Sequence, residues 1–163
     1  MLTAEHLRAV LHYDPATGVF TWKIRCGPRG KPWTVAGTVN GEGYVVVGID
    51  GGYYRAHRLA WLYVHGEWPA GRLDHEDTHR DHNWIDNLRP ATQSQNMANA
   101  SRYRNNASGY KGVCWHKRKR CWHAQIQVAG RKRHLGYFGV AADGHAAYRA
   151  AALKYLGEFA RAE

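Results

Sequence analysis

Apolar residues open the chain at helical spacing, with Leu2, Leu7, Val10 and Leu11 set around Thr3, Glu5 and His6. Thr3 starts the predicted helix because its hydroxyl can accept from a first-turn amide. Asp14-Pro15 and Gly18 stop it. The pattern then changes to strand-like runs, Val19-Phe20-Thr21-Trp22 and Tyr44-Val45-Val46-Val47. An Asp50-Gly51-Gly52 turn folds the second run back onto Tyr53-Tyr54-Arg55-Ala56 as a hairpin.

From residue 57 the helical period returns, from His57 to Val64, and it ends before Trp68-Pro69. Arg72-Leu73-Asp74 reads as a short strand and Leu88-Arg89-Pro90-Ala91 as its return. Between them, residues 76–86 form a polar loop crowded with His79, Asp81 and His82. Thr92-x-x-Gln95 has the capping-box pattern, in which the threonine bonds the third amide and the glutamine bonds back. Asn96 therefore belongs to the first turns of a helix, its side chain able to face the end of the Asp74 strand. Residues 100–108 are polar and read as a linker.

The last block alternates strongly. Tyr110 to His116, Trp122 to Val128 and Arg131 to Phe138 are three strand runs, joined at Lys117-Arg118-Lys119-Arg120 and at Ala129-Gly130. In the middle run Trp122, Ala124, Ile126 and Val128 alternate with His123, Gln125 and Gln127, giving one packed face and one polar face. Residues 143–156 are alanine-rich, with Tyr148, Ala152, Tyr155 and Leu156 at helical spacing. That helix can lie close on the apolar face and leave the polar face free. The division is thus 1–56, 57–99, a linker at 100–108, and 109–163.

Charge sharpens this division. Residues 101–163 hold 13 Lys/Arg against Asp143, Glu158 and Glu163, a net of +10, whereas residues 1–100 hold 10 of each sign. A basic segment interleaved with Trp115, Trp122 and Tyr137 is suited to a polyanion. Lys111, Lys117, Arg118, Lys119, Arg120, Arg131 and Arg133 are candidate phosphate or guanine contacts, and Gln125 and Gln127 candidate adenine readers. Trp115 can stack on a sugar or pack. No apolar run is long enough to suggest a membrane span, and Met1-Leu2-Thr3-Ala4-Glu5 lacks a signal-peptide pattern. Cys26, Cys114 and Cys121 are odd in number and lack Cys-x-x-Cys spacing, which points to a reducing compartment. The Asn-x-Ser triplets at Asn99 and Asn106 have no secretion signal to support glycosylation.

Candidate chemistry concentrates in the middle block. Asp74-His75, Asn87-Leu88-Arg89 and Asn96 supply a carboxylate, an imidazole and amide oxygens. Hydrolysing a phosphodiester needs a deprotonated water and a counter-charge for the departing oxygen. A neutral histidine can take the proton, and a hard divalent ion on oxygen ligands can supply the charge. A strand puts Asp74 and His75 on opposite sides, so one can bind metal while the other addresses water. An amide oxygen from Asn96 would complete the protein ligands. His75, His79 and His82 have the spacing His-x3-His-x2-His, but zinc ligands need a more rigid frame than such a loop promises.

The stretch from Tyr54-Arg55-Ala56-His57-Arg58-Leu59-Ala60-Trp61 through Leu73-Asp74-His75, Asn83, Asn87-Leu88-Arg89 and Asn96 resembles the HNH endonucleases with a ββα-metal site, especially the phage and intron homing branch. The resemblance implies that His75 is the general base, and that Asp74 and Asn96 hold one divalent ion, Mg²⁺ or Mn²⁺. Asn87 would pin the loop and orient the histidine through a hydrogen bond. The family often has a glycine-asparagine pair where this chain has Asp77-Thr78-His79.

Residues 109–159 resemble the AP2 DNA-binding domain through Gly109-Tyr110-Lys111-Gly112-Val113, Trp122-x-Ala124-x-Ile126, His134-Leu135-Gly136-Tyr137-Phe138 and Ala146-Ala147-Tyr148-x-x-Ala151-Ala152. Plant members carry arginines where this chain has Cys114, His116 and Gln127, so the resemblance implies DNA contact without the same target. Together the two resemblances imply an α+β protein. It would combine a ββα-metal nuclease core with an N-terminal α/β extension and a three-stranded antiparallel sheet packed on one helix. The expected function is a homing or nicking DNA endonuclease that leaves 5′-phosphate and 3′-hydroxyl ends. It would act as a monomer on double-stranded DNA, away from membranes, in the cytoplasm of a bacterium or phage-infected host cell. The alternative is a DNA-binding regulator with an inactive nuclease core.

Overall fold

A computed structural model of the chain describes residues 1–25, 31–99 and 106–160. Cys26, most of the expected linker (100–105) and residues 161–163 lie outside the described residues. The chain forms two compact units, Met1–Pro90 and Ala91–Glu163.

The first unit begins with helix α1 (Ala4–Val10), whose N-cap is Thr3: its Oγ1 accepts from His6 N at 3.2 Å. Leu11 leaves the helix for strand β1 (Leu11–Tyr13), which pairs antiparallel with β2 (Phe20–Trp22). A three-stranded sheet follows, in the order β3 (Thr38–Val39), β4 (Val45–Ile49), β5 (Gly52–Arg55). The β4–β5 turn takes positive φ at Asp50 (50°) and Gly51 (77°), which matches the twist of the flanking strands. Helix α2 (Ala56–His65) continues from β5 and stops at Gly66, which has φ 80° and donates its amide to Leu62 O at 3.0 Å. Strands β6 (Arg72–His75) and β7 (Leu88–Ala91) make a two-stranded sheet, with a 3-10 turn at Ile85–Asn87 just before β7.

One apolar core holds this unit together. Leu7, Val10, Leu11, Tyr13, Phe20, Val47, Ile49, Leu59, Leu62 and Leu88 are all buried in it. Residues on both sides of position 56 thus share a core, and the loop between β6 and β7 rests on the N-terminal strands. Tyr13 Oη donates to Asn83 O at 2.7 Å, and Ile85 N donates to Pro15 O at 3.3 Å. Gly18 sits so close beneath the loop that a Cβ there would lie 2.2 Å from Trp84 N.

The second unit starts at α3 (Gln93–Asn99), capped as the sequence predicts: Gln95 N donates to Thr92 Oγ1 at 3.3 Å and Thr92 N donates to Gln95 Oε1 at 2.7 Å. Strands β8 (Val113–His116), β9 (Cys121–Val128) and β10 (Arg131–Phe138) form an antiparallel sheet in the order β10-β9-β8, with helix α4 (Ala141–Leu156) packed on it. Ile126 of β9 packs with Tyr148, Ala151 and Ala152 of α4. β8 starts three residues later than the expected Tyr110, because Gly109 and Gly112 both take positive φ before it. At Gly112 a Cβ would lie 2.0 Å from the Tyr148 ring, so glycine is what lets the chain pass the helix. β10 contains an irregularity between His134 and Gly136 that the sequence alternation did not announce.

Candidate active site and candidate nucleic-acid interface

β6 delivers Asp74 and His75 side by side, 7 % and 5 % exposed, because both faces of this short strand are covered. On one side Arg89, from β7, donates Nε and Nη2 to Asp74 Oδ2 at 3.2 and 3.1 Å. Removing both ions from water is costly, and the charge-assisted bonds offset that cost by fixing the carboxylate. Arg89 entered the sequence reading only as part of Asn87-Leu88-Arg89, without this role.

His75 faces a different neighbourhood. Its Nε2 lies 3.4 Å from Asn83 Oδ1, and its ring meets His57 edge-on at 5.0 Å between centroids and Tyr44 at 6.1 Å. Burial pushes the His75 pKa below the usual 6.5, against the opposing pull of the Asn83 bond and of Asp77 and Asp74, with Arg80 adding to the depression. His57 is displaced further, to about 3, by burial first and then by His75, Arg55 and Arg58. Both imidazoles are therefore neutral at pH 7. His57 is core, and Arg58 is occupied by Gly71 O (3.0 Å) and Pro69 O (3.4 Å). The guanidinium groups of Arg55 and Arg80 lie 4.2 and 5.0 Å from the Tyr44 ring centroid and make an exposed cationic rim.

Asn87 is 4 % exposed and uses its whole amide on the loop. Its Oδ1 accepts from Asp77 N at 3.0 Å, while Nδ2 donates to Asp77 Oδ1 (3.0 Å) and His82 O (2.9 Å). Those three bonds tie the loop together, and none of them reaches His75, whose Nε2 meets a different side chain. That side chain is Asn83, itself held by Asp81 O at 2.8 Å. Asn83 stands in the HNH-like stretch with no role assigned from the sequence, and its carbonyl is held by Tyr13, a contact that no local pattern announces. Asn96 lies on α3, partly buried, its backbone N–H donating to Thr92 O at 3.0 Å.

The same loop gathers Asp77, His79 and His82, whose ligand atoms lie within 4.8 Å of one another. This differs from the His75-His79-His82 spacing in the sequence: His75 points inward to Asn83, and Asp77 takes its place.

In the second unit, directly paired strand residues share a sheet face, so register sorts the candidates. Lys132, His134 and Tyr137 pair with Gln127, Gln125 and His123, and Cys114 pairs with His123, which puts them on the polar face. Arg131 and Arg133 pair with Val128 and Ile126 on the face that carries α4, and the Arg133 guanidinium lies 4.8 Å from the Tyr155 ring centroid. Trp115 pairs with Trp122 on that same face, their rings edge-on at 5.0 Å. Lys117, Arg118, Lys119 and Arg120 occupy the exposed β8–β9 turn, where Lys119 Nζ sits 3.7 Å from the Tyr137 centroid. Lys111 precedes β8 and is partly buried. Lys132, His116, His123 and His134 were absent from the sequence-derived contacts. The displacement at Leu135 sets the second half of β10 out of phase with the first, so simple alternation misassigns its faces.

Residues 54–98 match the family model described as HNH endonuclease, and this match covers the helix α2, both strands of the Asp74–His75 sheet and most of α3. None of the curated proteins and none of the solved structures matches the chain. Among the described residues no helix is long and apolar enough to cross a membrane.

Proposed function

We propose that the protein is a metal-dependent DNA endonuclease that hydrolyses phosphodiesters to 5′-phosphate and 3′-hydroxyl ends. The observation that carries the reading is His75. It is buried, kept neutral, placed next to a fixed carboxylate, and lies inside the segment that matches HNH endonucleases. With Nε2–H donating to Asn83 Oδ1, the lone pair resides on Nδ1, and that atom accepts the proton of the attacking water. The donor chemistry at Asp74, a buried hard oxygen beside a neutral imidazole, fits one divalent ion, Mg²⁺ or Mn²⁺. Asn96 joins Asp74 as ligand on the strength of its sequence spacing. When bound, that ion supplies positive charge that offsets the charge on the phosphate and the departing 3′ oxygen. Arg89 keeps Asp74 oriented, and Asn87 holds the loop from which Asn83 orients His75.

The basic second unit is the DNA grip, an AP2-like sheet reading double-stranded DNA through its polar face and its Lys117–Arg120 turn. One catalytic set among the described residues fits a homing or nicking enzyme that acts as a monomer unless dimerisation supplies a second set, in the cytoplasm of a bacterium or infected host. The test is incubation with supercoiled plasmid and Mg²⁺ or Mn²⁺, with and without EDTA. Metal-dependent conversion to open circle supports the reading. DNA binding without any nicking supports the alternative, a DNA-binding regulator with an inactive core.

A further inference from the structure

The Asp77–His79–His82 cluster differs in donor chemistry from the oxygen ligands proposed around Asp74. Asp77 Oδ2 lies 2.5 Å from His82 Nδ1 and 3.6 Å from His79 Nδ1. The two imidazole rings sit 4.9 Å apart between centroids, tilted by 30°. The other carboxylate oxygen, Oδ1, is committed to the frame, accepting from His79 N at 2.9 Å and from Asn87 Nδ2 at 3.0 Å. This division matters, because one oxygen fixes the carboxylate while the other is presented to both rings.

The frame is also firm. Asn87 is buried and ties Asp77 and the His82 carbonyl to the same amide, and Thr78 N donates to His75 O at 3.0 Å. The His82 ring rests on Trp84 at 4.6 Å. The loop that looked too loose for metal in the sequence is thus braced from below. Its three ligand groups reach solvent, with side-chain exposures of 29 % for Asp77, 65 % for His79 and 41 % for His82.

We propose that Asp77, His79 and His82 bind one borderline transition-metal ion, Zn²⁺ being the representative, with water in the fourth position. Two imidazoles and a carboxylate are a donor set that Zn²⁺ takes with bonds of about 2.0 to 2.1 Å, whereas Mg²⁺ prefers oxygen ligands alone. Tetrahedral binding spreads adjacent ligand atoms to about 3.3 Å. The Asp77–His79 pair is near that spacing already, His82 has to move away from Asp77 by under about 1 Å, and the two exposed imidazoles, at most 4.8 Å apart at their ligand atoms, have to close by up to about 1.5 Å. Three protein ligands leave an exchangeable site rather than a closed structural one. The ion would fasten the loop that carries Asn83, and so set how firmly His75 is held. The site does not depend on whether the protein cuts DNA.

The experiment titrates chelator-stripped full-length protein with Zn²⁺ in saturating Mg²⁺, by calorimetry, and repeats the titration with Co²⁺ to read visible absorption. The expected result is one equivalent of Zn²⁺ that Mg²⁺ does not displace, with Co²⁺ bands of tetrahedral character. His79→Ala and His82→Ala, both at exposed rings, should each weaken binding at least tenfold with an unchanged circular dichroism spectrum. His75→Ala and a His116→Ala/His123→Ala double variant should bind as the wild type does. No Zn²⁺ binding by wild type below about 100 μM, full binding by His79→Ala/His82→Ala, or loss confined to His75→Ala or to the His116/His123 variant would each overturn the proposal.

Discussion

Burying His57 beside His75 makes the first unit sensitive to acid, by an amount that follows from its surroundings. Folded, His57 titrates at about 3; unfolded, it titrates near the ordinary 6.5. Between these values the unfolded chain takes up a proton that the folded protein refuses. Stability is therefore complete above the unfolded value and falls as pH drops below it. From pH 8 to pH 5 the loss due to His57 is about 2 kcal/mol, at roughly 1.4 kcal/mol per pH unit below 6.5. With a urea dependence of about 1 kcal/mol per molar for a unit this small, the midpoint should move down by roughly 2 M. Tryptophan fluorescence reads the change, since Trp22, Trp33, Trp61, Trp68 and Trp84 all lie in Met1–Pro90. His75 is depressed in the same direction, so wild type alone does not isolate the effect. The His57→Gln variant does, because glutamine does not titrate. It should lose most of the shift between pH 8 and pH 5. An undiminished shift in His57→Gln would refute the argument that burial keeps this imidazole neutral.

Arg89→Ala removes both guanidinium bonds to a buried carboxylate and should cost about 3 kcal/mol in urea unfolding, with Arg89→Lys intermediate; a loss under about 1 kcal/mol contradicts the buried pair. Gly18→Ala meets Trp84 N and a φ of +73°, so a fall in melting temperature of several degrees is expected, and nicking should fall with it if the Asn83 loop orients His75. The acid limb of the nicking rate should lie below 6.5, because burial depresses His75; a limb above 6.5 is incompatible with that environment. For DNA binding, Lys132→Ala and neutralisation of Arg118 or Arg120 should each lower the slope of log affinity against log salt by about 1. Arg133→Ala, on the α4 face, should leave that slope nearly unchanged, and an equal loss would mean that the face assignment from strand register is wrong.

Local signals in the sequence carried well into the structure. The Thr3 cap, the Asp50-Gly51 turn and the reciprocal bonds of Thr92 and Gln95 all depend on residues within a few positions of one another. The features that escaped are those set at long range. Leu11 continues the helical spacing of Leu7 and Val10, yet pairing with Trp22 draws it into β1. Asn83, whose side chain meets His75, has its carbonyl held by Tyr13, 70 residues away. Asp77 joins His79 and His82 only once Asn87 has folded the loop back on itself. The single extra residue at Leu135 likewise exchanges Arg133 for Lys132 on the polar face, and its only sequence trace is Gly136.

The role of His75 is tested most directly by single-turnover nicking of supercoiled plasmid with His75→Ala, with and without added imidazole. If His75 accepts the proton of the attacking water, the variant should nick about 10²- to 10⁴-fold more slowly than wild type at saturating Mg²⁺. Free imidazole should recover part of that loss, with recovery increasing as the imidazole base form increases. Wild-type rates in His75→Ala, with no response to imidazole, would contradict the assignment of this buried histidine as the catalytic base.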